Sequence, residues 1–163
     1  MTALIFDKAF ELLMINEGKY VNDPHDKGGE TKYGISKRAY PNEDIENLTL
    51  DRAKYLYKRD YWDRCKCDNL PDALSVAVFD FAVNSGTKRA IKYLQMAITG
   101  ITVDGIIGNQ TICAANRLPV KKVLNEYLDL RLSYLTNLKD WKYFGNGWGK
   151  RVERVRNYCE ELI

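Results

Sequence analysis

Residues 70–86, LPDALSVAVFDFAVNSG, constrain the fold more than any other stretch of the chain. Pro71 stands where a helix opens and Gly86 where one stops. Between them apolar side chains occupy almost every face of the helical wheel, interrupted by Asp80 and Asn84. A helix that is apolar all round must be enclosed by other elements. The rest of the chain therefore has to supply amphipathic partners around it, and an all-α, mostly helical body is expected.

Those partners are present. Ile5, Phe6, Ala9, Phe10 and Leu13 recur at helical spacing over residues 3–17, with Gly18 as the stop. Thr49 is placed to cap a helix running to about Trp62. TKRAIKYLQMAITG gives a further helix ending at Gly100. ITVDGIIGNQT reads as a turn-rich connector around Asp104-Gly105, with Asn109 capping a short helix at 110–117. Pro119 opens a long helix to about residue 139. WKYFGNGWGK reads as a glycine-aromatic loop, and RVERVRNYCEELI closes the chain as a helix. No convincing strand pair, repeat or low-complexity tract is found. The one seam, near Gly86, is too short for a flexible linker. Two subregions, 1–86 and 87–163, packed as one body are expected.

Charge and composition exclude several functions. A net charge of +3 favours anionic partners only weakly. Lys121, Lys122, Lys150, Arg151, Arg154 and Arg156 form a basic set, but acids interleave with them and no base-reading motif accompanies them, so no nucleic-acid partner is expected. FGNGWGK lacks the spacing and the hydroxyl of a phosphate loop. Cys65, Cys67, Cys113 and Cys159 match neither a CxxC nor a zinc pattern and are expected as buried thiols. A lone His25 argues against a multi-histidine centre. Neither metal nor cofactor is expected. The amino end lacks a secretory pattern, and no stretch is long or apolar enough to span a bilayer. Synthesis in the cytoplasm without stable membrane insertion follows, with any action elsewhere depending on a separate route of release.

One segment fits none of the helices. NEGKYVNDPHDKGGETKYGIS, residues 16–36, is too polar to bury and shows no regular period. Long loops in compact domains are usually functional or disordered. Glu17 sits at the last turn of the first helix, where the negative end of the macrodipole disfavours a carboxylate. A group inclined to keep its proton is what general-acid catalysis needs. Asp26 follows nine residues later and Thr31 fourteen. Two carboxylates and a hydroxyl suit glycoside hydrolysis, one protonating the bridging oxygen while the others hold water or stabilise the sugar cation. A Glu ending a helix and an Asp in a loop are also ordinary, so spacing alone leaves both readings open. Gly28 and Gly29 allow close backbone approach to a ligand. Tyr20 and Tyr33 suit either stacking on sugar rings or anchoring of the loop. Asn84 shares a helix face with Asp80, either at the floor of a cleft or as internal support. Trp148 and Tyr143 either wall one end of that cleft or pack in the core.

EGKYVNDPHDKGGETKYGIS resembles the signature of the glycoside hydrolase 108 lysozymes, which reads Glu-Gly-Gly-Tyr, then Asp-Pro, then Gly-Gly-x-Thr and Tyr-Gly-Ile. LYKRDYWDR and LPDALSVAVFDFAVNSG are similar to the helices that follow in that family. RAIKYLQMAITGITVDGIIGNQT resembles its accompanying peptidoglycan-binding region, and GWGKRVERV its closing segment. The resemblance implies a lysozyme-like fold with a catalytic region at 1–86 and a helical peptidoglycan-binding-like region at 87–163. It implies cleavage of the bond between N-acetylmuramic acid and N-acetylglucosamine in the bacterial cell wall. The catalytic acid falls on Glu17. Asp26 and Thr31 resemble the aspartate and threonine of phage-type lysozymes, with a one-residue shift at the threonine. The resemblance implies a phage or prophage endolysin, with a holin as the implied partner for release, and a monomer is expected. Lys19 departs from the pattern, standing where the family has its second glycine. A non-catalytic wall-binding module on the same fold is the alternative.

Overall fold

The computed structural model describes residues 2–17, 20–22, 25 and 28–163, with Thr2 and Ala3 described by backbone only. Two of the sequence expectations, the stop at Gly18 and the departure at Lys19, lie outside the described residues, as does Asp26. Among the described residues seven α-helices dominate: α1 (Thr2–Asn16), α2 (Leu50–Tyr57), α3 (Asp72–Ser85), α4 (Thr87–Ile98), α5 (Asn109–Arg117), α6 (Val120–Thr136) and α7 (Trp141–Glu160). The mostly helical class holds.

The enclosed helix is α3. Every residue from Ala73 to Ala82 is buried, and α1, α4, α6 and α7 all pack against it. Aromatic side chains fill both flanks. Phe6, Trp62 and Phe79 meet edge to face on one side, at centroid distances of 5.2–5.7 Å. Phe81, Tyr93, Tyr127 and Tyr134 form the other cluster. Each edge-to-face pair contributes on the order of 1 kcal/mol beyond area burial.

The punctuation marks fall close to where the sequence puts them. The Thr49 hydroxyl accepts from the Arg52 amide at 3.1 Å, satisfying one of the orphan donors of α2. Beyond Tyr57 the chain continues as a π-helical turn, Lys58–Trp62. That turn keeps Tyr57 and Trp62 in the core. Pro71 and Pro119 precede α3 and α6, and α3 stops at Gly86 with φ +96°. The Asp104-Gly105 turn is held from within. The buried Gln95 carboxamide accepts from the Asp104 and Gly105 amides and donates to the Asp104 carboxylate, the Ile106 carbonyl and the Thr111 hydroxyl.

Four expectations need correction. Residues 141–150 are not a loop but the first half of α7. Trp141 lies where a Cβ on Gly145 would stand, so small residues there let an indole pack flat on the backbone. The polar segment after α1 contains a three-stranded antiparallel sheet, β1 (Val21–Asn22), β2 (Glu30–Lys32) and β3 (Ile35–Ser36), paired Val21 to Thr31 and Lys32 to Ile35. Strands of two or three residues are too short to show a period of two in sequence. Asn109 is the first residue of α5 and Gly108 its cap. Cys113 is exposed, while Cys65, Cys67 and Cys159 are buried free thiols. Burial raises the Cys67 thiol well above its ordinary value and pushes Cys159 up to about 12, so those two stay protonated and unreactive. Among the described residues, no helix is long and apolar enough to cross a membrane.

Candidate active site

Three elements converge where the sheet meets the end of α1. The β2–β3 hairpin turns on Tyr33 and Gly34, with φ of +52° and +79°, the two-residue pattern that needs positive φ at both positions. A non-glycine residue in this region is strained by about 1 kcal/mol. The Tyr57 hydroxyl holds it there by donating to the Tyr33 carbonyl at 2.7 Å. Burial first, and the neighbouring Glu17 charge second, push the Tyr57 phenol well above its usual range, so it remains a neutral donor. Gly34 sits beneath. A Cβ there would strike the Tyr57 hydroxyl and stand 2.8 Å from Glu17 Oε2. Gly34→Ala should therefore displace the Glu17 carboxylate as well as strain the turn. We expect activity to fall about a hundredfold and stability by about 1–3 kcal/mol, measured as kcat on purified cell wall and as a urea midpoint.

Glu17 follows the last helical residue of α1, its amide donating to the Leu13 carbonyl at 3.2 Å. Its side chain is 25% exposed, open to a ligand yet walled by protein. Arg151, from α7, faces it with Nη1 3.6 Å from Glu17 Oε1. The other side of the same guanidinium is taken by Asp80, which accepts from Nε at 3.1 Å and Nη2 at 3.2 Å. Asp80 also pairs with Arg131, Nη1 to Oδ2 at 2.8 Å, and both of those side chains are essentially inaccessible. Burial alone would raise the Asp80 carboxyl, but Arg131 and Arg151 outweigh it and hold it below the ordinary carboxylate range. The result is a relay of fixed charges, Arg131–Asp80–Arg151–Glu17, running from the core to the site. Arg154 donates to the Asn16 side chain, pinning α7 to the end of α1 beside it.

The sequence candidates are distributed around this centre. Thr31 lies in β2 and donates to the Gly29 carbonyl at 3.4 Å. Gly29 has φ +71°, and the Gly28 carbonyl accepts from the Arg38 amide. Tyr20 donates to Glu30 Oε2 at 3.1 Å and is half-buried against the core, as is Tyr33, whose ring carries the Lys32 ammonium at 5.5 Å. Both rings pack on one side against the core. Asn84 lies one turn beyond Asp80 but is exposed and accepts from the Ser85 hydroxyl. Asp80 supports the site from below, through Arg151.

Three participants escape a reading of the sequence. Arg151 looks like one member of a basic set, and nothing local marks it as the partner of a glutamate at the opposite end of the chain. Tyr57 looks like core. Gly34 is the one with a visible signal, since the Tyr-Gly-Ile run requires a turn there. An open groove of about 690 Å³ lies on the far side of Tyr61, and Glu17 is not part of its wall. Tyr61, whose ring is 5.8 Å from that of Tyr57, forms part of its wall with Tyr40, Arg59, Asp60 and Arg64. Among the described residues no cluster of side chains suits a metal ion. The chemistry on offer is that of a partly exposed carboxyl group held beside a guanidinium.

Residues 10–86 match the family model described as glycosyl hydrolase 108. Among solved structures, the chain is similar to that of Brucella abortus SagA, at 35% sequence identity over 96% of this chain and 94% of that one, with a TM-score of 0.86. No curated protein matches it. The matched family segment ends at Gly86, yet Arg151, far beyond it, reaches the Glu17 carboxylate.

Proposed function

The chain belongs to the glycosyl hydrolase 108 family, and from that premise we propose that it is a muramidase, cutting peptidoglycan between N-acetylmuramic acid and N-acetylglucosamine. The observation that carries this reading is the placement of Glu17, a partly exposed carboxyl at a helix end, fixed by Arg151 and Gly34. Glu17 acts as the general acid, protonating the bridging oxygen as the bond to the muramic ring opens. Asp26 is the second carboxylate, and Thr31 holds water on the opposite side of the sugar. Tyr20, Gly28, Gly29, Tyr33 and Asn84 border the bound strand. No cofactor enters the reaction.

Residues 1–86 are the catalytic region and 87–163 the helical region packed on it, which contributes Arg151 to the site. In biological terms the protein is an endolysin of phage or prophage type, a monomer released to the wall through a holin pore. The test is a digest of purified peptidoglycan, followed by reduction of the new chain ends and mass spectrometry. Reduced muramic ends support a muramidase. Reduced glucosamine ends indicate the other glycosidic bond, and an absence of new ends leaves a wall-binding module.

A further inference from the structure

In the first half of α7, Trp141 and Trp148 pack against the core, but two further aromatic rings stand exposed. Tyr143 and Phe144 are 71% and 56% exposed, unusual for side chains of that size clustered on one helix. Phe144 stacks on Trp148 at 5.7 Å with 29° between the planes, and Tyr143 meets Phe144 edge-on. Phe144, Trp148 and Arg151 are spaced by four and then three residues, so they share a face of the helix. Arg151 on that face reaches Glu17. Measured along the axis, Trp148 and Phe144 lie about 4.5 and 10.5 Å before it.

Gly147 adds an independent observation. It lies beside the same face and is exposed within the helix, and a Cβ built on it would meet nothing within 4 Å. Glycine weakens a helix interior relative to alanine, and the protein's own packing gives no reason for it here. An empty flank beside stacked rings is what an outside ligand would need.

We propose that Phe144, Trp148 and Gly147 form a binding strip for the amino-sugar chain, extending the substrate site from Glu17 along α7. The apolar faces of successive sugar rings lie on the aromatic faces, and Gly147 leaves room for an N-acetyl or hydroxymethyl group beside them. The proposal rests on the glycan-cleaving reading above. Aromatic rings beside Lys142 would also suit a lipid interface, but their sharing a helix face with Arg151, the partner of Glu17, favours the glycan.

The experiment uses glycan strands freed of stem peptides and sorted by length. Tryptophan fluorescence reports binding, and kcat/KM is compared between long and short strands. In the wild type the long strands should be preferred. Phe144→Ala should reduce the long-to-short ratio about tenfold. Gly147→Leu should raise the melting temperature by about 2–4 °C while weakening binding of long strands, a combination that misfolding cannot produce. Unchanged length preference and binding in both variants would overturn the strip. So would a loss confined to binding of anionic phospholipid vesicles. If the wild type binds long strands through these residues but cuts none of them, the strip stands and the muramidase reading fails.

Discussion

Asp80→Ala is expected to cost about 3–5 kcal/mol of folding stability, because it strands the buried Arg131 guanidinium without a counter-charge. For a domain whose whole stability is about 5–15 kcal/mol, this is a severe loss. At about 2–4 °C per kcal/mol for a chain of this size, the melting temperature should fall by about 10 °C. Arg131→Met tests the same network from the other side and should cost less. Asp80 would keep its two contacts to Arg151, at 3.1 and 3.2 Å, and no buried charge would be left alone. Equal losses from the two variants would refute the asymmetry. The pH dependence follows from the same pairing. The folded Asp80 carboxyl is held below its unfolded value by Arg131 and Arg151 against the opposing effect of burial. Its contribution to stability is therefore complete above the unfolded pKa of about 3.9. It is lost as pH falls through the lower, folded value. Urea midpoints measured between neutrality and strong acid should show this slope in the wild type and lose it in Asp80→Asn.

What could be read from the sequence divides along physical lines. Local signals sufficed where one residue type has one dominant use. Thr49 caps α2, Pro71 opens α3, Gly86 closes it, and the apolar wheel of α3 is buried as its pattern requires. They misled where tertiary packing overrode propensity. Three glycines at 145, 147 and 149 argue against a helix, but Trp141 packing on Gly145 makes one. The sheet escaped because its strands are held by the hairpin turn and by Tyr57 instead of by a period of their own. At the site, Glu17 could be found from its position at the end of an amphipathic helix. Arg151 could not. Its pairing is set by α7 crossing α3, a relation of the fold that has no trace in the spacing of residues. Asp80 stands between the two cases: a lone acid in an apolar helix announces a buried partner, but does not say which.

Glu17→Gln should lower kcat on purified peptidoglycan about a thousandfold, the scale of a positioned general acid. The amide is nearly isosteric, so it keeps the fit against Gly34 and removes only the transferable proton. Stability should barely change. Glu17 is partly exposed and 3.6 Å from Arg151, and such a pair contributes about 1 kcal/mol or less. Arg151 also retains Asp80. A melting temperature near the wild-type value beside a collapsed kcat would separate chemistry from folding, which Asp80→Ala cannot do. Glu17→Asp sharpens the comparison. It restores the proton but withdraws it by one methylene from a site built around Gly34 and Tyr57, so activity should recover only in part. Full activity in Glu17→Gln would remove Glu17 as the acid and send the search to the other carboxylates of the 16–36 segment.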